Sequence, residues 1–222
     1  MMNRRRARAL AEELVSTLPT GLKDLFNPWA DRCEHEAEGD GWKARRERLV
    51  QHLSCDPSMI LVGEAPGYRG CRYSGVPFVS ERLLLDGAIP RIPALQRRIT
   101  SCKAPLAEPS ATLVWKALYR LGVAETTILW NAVQLHPHIV GDPWSNRTPK
   151  DSEVELGQAA LKKLVEAYPG ARIVAVGRKA ELALGKLGVV RHTTVRHPAN
   201  GGATEFFDGL ARAAREQGMV QA

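Results

Sequence analysis

Met59-Ile60-Leu61-Val62-Gly63-Glu64-Ala65-Pro66-Gly67 is the stretch that decides the architecture of this 222-residue chain. Four apolar, β-favouring residues run without a polar break and stop at a loop of glycine, glutamate, alanine, proline and glycine. That is the pattern of a strand buried on both faces that ends in a loop. Other runs end in a similar way. Thr127-Ile128-Leu129-Trp130 stops at Asn131, and Arg172-Ile173-Val174-Ala175-Val176 stops at Gly177. The weaker Thr193-Thr194-Val195 leads into His197-Pro198-Ala199-Asn200-Gly201-Gly202. In an open α/β sheet the carboxyl ends of parallel strands share one edge, and ligands bind in the crevice there. Glu64, Asn131 and His197, distant in the chain, are therefore expected to face one cleft.

Between these strands the chain reads as helices, without repeats or low-complexity tracts. An amphipathic helix covers about Arg5 to Thr17 and is ended by Pro19-Thr20-Gly21. A charged helix from Trp42 to Leu53 leads into the first strand, and Ser80 to Leu85 starts another. The stretch from Gly87 to Pro109 has no readable pattern. Ser110 is placed to cap a helix running to Leu121 and ended by Gly122. Thr148, with Pro149 behind it and Asp151 three residues on, starts a helix to about Tyr168. A last helix spans roughly Thr204 to Gln217. The fold class expected is a three-layer α/β/α sandwich around a mostly parallel, four-stranded sheet.

Composition sets wider bounds. With 44% hydrophobic residues the chain can bury a full core, and its length suits one domain over residues 1–222, with 1–57 as a helical segment packed on it. The net charge of +7 favours an anionic partner. Nucleic acid ranks ahead of a membrane surface, because no long basic amphipathic face or lipidation signal is present. No apolar stretch approaches the roughly 18 to 20 residues that span a bilayer. Asn3-Arg4-Arg5-Arg6-Ala7-Arg8 is basic enough for a signal segment, but Glu12 and Glu13 break the chain before an apolar core can form, so a cytoplasmic location is expected. The four cysteines, Cys33, Cys55, Cys71 and Cys102, are too sparse for a disulfide scaffold and suit a reducing compartment.

Taken in order, Gly63 to Gly67, Gly75-Val76-Pro77-Phe78-Val79, Asn131, Asn146-Arg147-Thr148-Pro149, the strand ending at Gly177, and His197-Pro198 resemble the motifs of the uracil-DNA glycosylase superfamily. The resemblance covers roughly residues 58 to 210 and is nearest to the iron-sulfur branch often called family 4. It implies a monomeric, monofunctional enzyme that flips uracil out of DNA and leaves abasic DNA without cutting the backbone. By this resemblance Gly63, Ala65, Pro66 and Gly67 line the substrate pocket and Phe78 stacks on the flipped base. Asn131 reads uracil N3 and O4, and His197 stabilises charge on O2. The water-activating position of the best-known branch is Ala65 here. Glu64, the neighbouring carboxylate, either orients water or points away. Tyr68 is the candidate wall against the methyl group of thymine, or it packs under its loop; the resembling branch usually carries acidic residues after Gly67.

Contacts to DNA are expected from the loop Pro198, Asn200, Gly201 and Gly202, with Asn200 filling the gap left by the base. Phosphate contacts are expected from Gly177, Arg178 and Lys179 at a helix start, and from Arg147, Arg191 and Arg196. The cysteines depart from the branch. No two are close in sequence, and Leu135 stands where a cluster ligand would follow Asn131, so no iron-sulfur cluster and no other cofactor is expected. A zinc site from Cys33, His35 and Cys55 is a minor alternative. No lysine occupies a nucleophile position, so no lyase step is expected. One rival is a protein that clamps uracil or abasic DNA with slow turnover, which would suit Ala65. An α/β hydrolase of small molecules is disfavoured, because no Gly-x-Ser-x-Gly elbow is present.

Overall fold

The computed structural model describes residues 3–189 and 192–216; Arg191, an expected phosphate contact, and Gln217, the expected end of the last helix, lie outside the described residues. Its elements run α1 (Arg4–Ser16), β1 (Leu25–Phe26), α2 (Trp42–Leu53), β2 (Met59–Gly63), α3 (Cys71–Ser74), α4 (Glu81–Leu85), α5 (Pro109–Arg120), β3 (Thr127–Asn131), β4 (His136–Pro137), α6 (Asp151–Ala167), β5 (Arg172–Val176), α7 (Arg178–Lys186), β6 (His192–Val195) and α8 (Ala203–Arg215). Four strands form a sheet in the order β3-β2-β5-β6, and every pairing in it is parallel.

The central strand explains why the layers form. Ile60 pairs in register with Ile128 and Ile173, and Leu61 with Leu129 and Val174. Successive residues leave a strand on opposite faces. Ile60, Val62, Ile128, Trp130 and Ile173 therefore pack with α1, α2, α6 and α7, whereas Met59, Leu61, Leu129, Val174 and Val176 pack with α5 and α8. Each fully buried large aliphatic side chain stabilises the fold by about 1.5–3 kcal/mol. On the first face α1 contributes Ala7, Leu10, Ala11, Leu14 and Val15, spaced as one apolar stripe of a helix.

Two helix starts differ from the sequence reading. Glu108, not Ser110, is the N-cap of α5, and Pro109 takes the first helical position, where its missing N–H leaves nothing unsatisfied. Helix α6 begins at Asp151 behind Lys150 rather than at Thr148, because the Glu153 carboxylate accepts from the Lys150 amide at 2.8 Å and closes the first turn.

Residues 3–57 do more than cover one face of the sheet. Strand β1 pairs antiparallel with β4, Leu25 opposite Pro137, and the Asp24 carbonyl accepts from the His138 amide at 3.0 Å. Trp29 stacks on Trp130 at 5.6 Å and donates its indole N–H to the Gly75 carbonyl at 2.9 Å. Arg48 donates to the carbonyls of Ser74 and Tyr73 while pairing with Asp40. The segment thus holds the turn that precedes Phe78.

Candidate active site

Gly63 lies opposite Asn131 and Val176 opposite Val195, so the four parallel strands end at one edge. A cavity of about 890 Å³ opens there. One rim comes from the strand ends and carries Glu64, Ala65, Pro66, Gly67, Asn131, Gly177, Arg178, Arg196, His197 and Asn200, with Phe78 beside them. The facing rim carries Cys71, Glu108, Ser110, Pro137, Asn146, Arg147 and Thr148.

Phe78 is 7% exposed and lines the cavity. Its φ of +54° puts a non-glycine residue in the left-handed region, at a cost on the order of 1–3 kcal/mol that the surroundings must offset. The Trp115 indole contributes by donating to the Phe78 carbonyl at 2.9 Å. Beside the ring, Asn131 is 3% exposed. A Cβ at Gly63 would stand 2.5 Å from the Phe78 ring and 2.8 Å from Asn131 Oδ1. Only glycine lets ring and amide close over the end of β2. The Nδ2 of Asn131 is buried without a hydrogen-bond partner, a deficit of about 1–3 kcal/mol that a ligand acceptor would remove.

His197 completes this side. The Ala199 amide donates to its Nδ1 at 3.2 Å, so the neutral ring carries its proton on Nε2. Burial holds its pKa below the ordinary 6.5, and the ring is neutral at physiological pH. Its centroid lies 6.2 Å from that of Phe78, the rings inclined by 34°. Glu64 also lines the cavity; burial raises its carboxyl pKa, and the charge of Lys179 works against that rise. The Glu64 carbonyl accepts from the Val133 amide at 2.9 Å, tying this loop to the chain after β3.

Several expected residues fall elsewhere. Tyr68 does not line the cavity: the turn closed by the Gly70 amide on the Gly67 carbonyl carries it outward. Its ring meets Trp144 edge-on at 6.2 Å, and its hydroxyl accepts from Arg69. Arg147 reaches the rim, but its guanidinium is taken up by Glu153 at 2.7 Å and Asp24 at 2.8 Å, which makes it a clamp on the loop rather than a cation offered outward. Lys179 pairs with Asp151 at 2.9 Å away from the lining; Arg196 does line the cavity, but its guanidinium pairs with Glu205 at 2.6 Å. Pro198 is buried, and Pro198, Gly201 and Gly202 lie outside the lining. The space of a Gly202 side chain is filled by the His197 carbonyl and the Arg196 side chain, so this glycine serves packing within the loop. Arg178 is exposed at the cavity mouth, at the first position of α7.

Sequence reading missed Cys71, Glu108 and Ser110, and did not give Asn146 its place. Asn146 Oδ1 accepts from the Tyr68 amide and from His136 Nε2, both at 3.0 Å. His136 Nδ1 accepts in turn from Arg72 at 2.8 Å, and burial with the Arg72 charge lowers its pKa to about 3. This neutral chain fixes the rim facing Phe78. The cysteines do not fit a four-thiolate cluster: Cys33 sits against the Tyr73 hydroxyl, and Cys71 is buried at the cavity wall. Among the described residues no three His, Cys, Asp or Glu side chains converge to hold a metal, which also removes the zinc alternative.

Such a site, at the carboxyl edge of a parallel sheet flanked by helices on both faces, agrees with what comparison of the chain finds. The model of the Uracil DNA glycosylase superfamily matches residues 50–207, and the chain belongs to that superfamily. Among solved structures it is similar to wild-type SMUG2 of Pedobacter heparinus, with 14% identity and a TM-score of 0.63 over 94% of this chain and 98% of that one. At that identity the likeness speaks for the fold. No curated protein matches the chain.

Proposed function

We propose that the chain is a monofunctional DNA glycosylase that extrudes uracil from DNA and hydrolyses its N-glycosidic bond, leaving an abasic site. The observation that carries this reading is the buried, unpaired Asn131 amide beside the Phe78 ring, in a cavity that also holds a neutral His197. A base inside a duplex is out of reach, so the nucleotide must rotate into the pocket. There uracil lies on Phe78. Asn131 Oδ1 accepts from N3–H and Nδ2 donates to O4. Cytosine offers an amino group at position 4 and no N3 proton, so the same amide meets donor with donor.

As the bond from N1 to C1′ breaks, its electron pair passes into the pyrimidine and charge grows on O2. The Nε2–H of His197 donates to that oxygen, a contribution of several kcal/mol in sites of this kind. Glu64 faces the sugar that develops positive charge, and takes the proton as water oxygen bonds to C1′. The uracil anion leaves and is protonated by solvent. No lysine is among the described residues that line the cavity, which supports hydrolysis without a Schiff base. Arg178 at the start of α7 adds a cation to a helix N-terminus, a suitable combination for a DNA phosphate.

The test is base release, over many turnovers, from matched oligonucleotides carrying one uracil, thymine or hypoxanthine, with His197→Ala and Asn131→Ala beside wild type. Uracil release that both substitutions reduce by about two orders of magnitude or more is the expected result. Tight binding without release would make the chain a lesion-binding protein, with Ala65 as the position to restore first.

A further inference from the structure

We propose that Glu108 is a specificity-determining residue, whose carboxyl forms the wall of the base pocket beside position 5 of the pyrimidine and excludes the methyl group of thymine. This rests on the uracil-release reading. Tyr68 has turned away from the cavity, and the loop it leaves behind has no side chain at Gly67 or Gly70. Glu108 fills that space from a different element, the N-cap of α5. A Cβ at Gly70 would overlap Glu108 Oε2, and one at Gly67 would lie 3.3 Å from Oε1. The two glycines thus admit a carboxyl that the loop itself lacks.

The position on the base is set by the groups already placed. N1 carries the sugar, His197 serves O2, and Asn131 takes N3 and O4. The next ring position in the plane is C5, beyond Asn131 as seen from His197. His197 packs over Gly177 at the end of β5, its Cβ 3.5 Å from where a side chain would start there. Glu108 instead stands against the loop after β2, with Asn146 close by across Gly67. Its Oε2 is buried against Gly70 without a hydrogen-bond partner, so the carboxyl has no room to retreat on that side, while the residue itself joins the cavity lining beside Gly67. Burial also pushes its carboxyl up to about 7, against an opposing hydrogen bond from Ser110. A C5–H sits beside such an oxygen as a weak donor. A methyl group there is larger than the hydrogen it replaces, needs space that the carboxyl already occupies, and offers it no comparable donor.

The experiment measures the ratio of thymine to uracil release, as kcat/KM on matched oligonucleotides, for wild type, Glu108→Ala and Glu108→Gln. Binding to oligonucleotides carrying 2′-fluorinated, non-hydrolysed uridine or thymidine is measured alongside. The alanine variant should raise the thymine-to-uracil ratio by about 10-fold or more, the scale of one methyl group in a fitted pocket. Glutamine, equal in size and polar, should keep the wild-type ratio and guards against a folding defect. An unchanged ratio in both variants, whether or not uracil release slows, overturns the proposal. Should wild type release no uracil, the release reading fails, and the binding ratio with the 2′-fluorinated nucleotides still decides on Glu108: a shift toward thymine in the alanine variant upholds the wall, and no shift removes it.

Discussion

The two rims of the cavity are built in opposite ways. The strand-end rim is positioned by backbone: the register that sets Gly63 opposite Asn131 and Val176 opposite Val195 delivers Asn131 and His197 to one edge. The facing rim is positioned by side chains from segments remote in sequence, with Arg72, His136 and Asn146 in one network and Asp24, Arg147 and Glu153 in another. The first rim carries the groups assigned to bond breaking. The second carries support and, in our proposal, the exclusion of thymine.

Perturbing each rim in turn sharpens that contrast. The largest effect belongs to His197: replacement by alanine should lower kcat by about 10²–10³, the scale of losing one oxyanion donor, while binding of uracil DNA persists. Its pH dependence carries a sign. Because burial lowers the pKa of His197, the productive neutral ring persists below pH 6.5, and the acid limb of the rate profile should fall on that side and vanish in the alanine variant. Next comes Phe78→Ala, which removes a stacking face contributing about 1–3 kcal/mol and should reduce kcat/KM by roughly 5- to 150-fold in steady-state assays.

The facing rim should respond through stability. Arg147→Ala strands two carboxylates and should lower unfolding free energy by about 1–3 kcal/mol in denaturant titrations. Arg178→Ala should leave the melting temperature unchanged and reduce the salt slope of DNA binding by about 1. Equal behaviour of the two arginines would erase the distinction between clamp and contact. The smallest expected effect is the titration of Glu108, about 7 when folded against an ordinary 4.5. The folded state then binds more protons than the unfolded one between those values, so wild-type stability falls as pH rises through that window. Glu108→Gln lacks the titration and should gain melting temperature relative to wild type across it, with no further gain above.

Legibility in the sequence divides along the same line. The four parallel strands, the α2 boundaries and the cleft residues Glu64, Asn131 and His197 were readable, because apolar runs and the loops that end them are local signals, whereas Phe78 came only from the resemblance of the motif around it. Tyr68 was misassigned because adjacency to Gly67 says nothing about which way a tight turn carries a ring. Arg147 was read as a phosphate contact because its partner Asp24 lies far away in the chain. Strands β1 and β4, two residues each, are too short for any periodicity. Glu108 sat in the one stretch without a pattern, and only the empty space at Gly67 and Gly70 reveals its use.

The antiparallel pair of β1 and β4 has a practical consequence for anyone trimming this chain. A minimal catalytic unit cut to residues 50–207, the span matched by the superfamily, would discard Asp24 to Phe26, Trp29 and the arginines of α2. It would keep every residue assigned to chemistry and lose the ribbon, the indole and the guanidinium groups that hold the far rim and the Phe78 turn in place. The boundary of homology and the boundary of a working enzyme therefore do not coincide here, and expression of the shorter piece should yield a chain whose pocket has come unstitched.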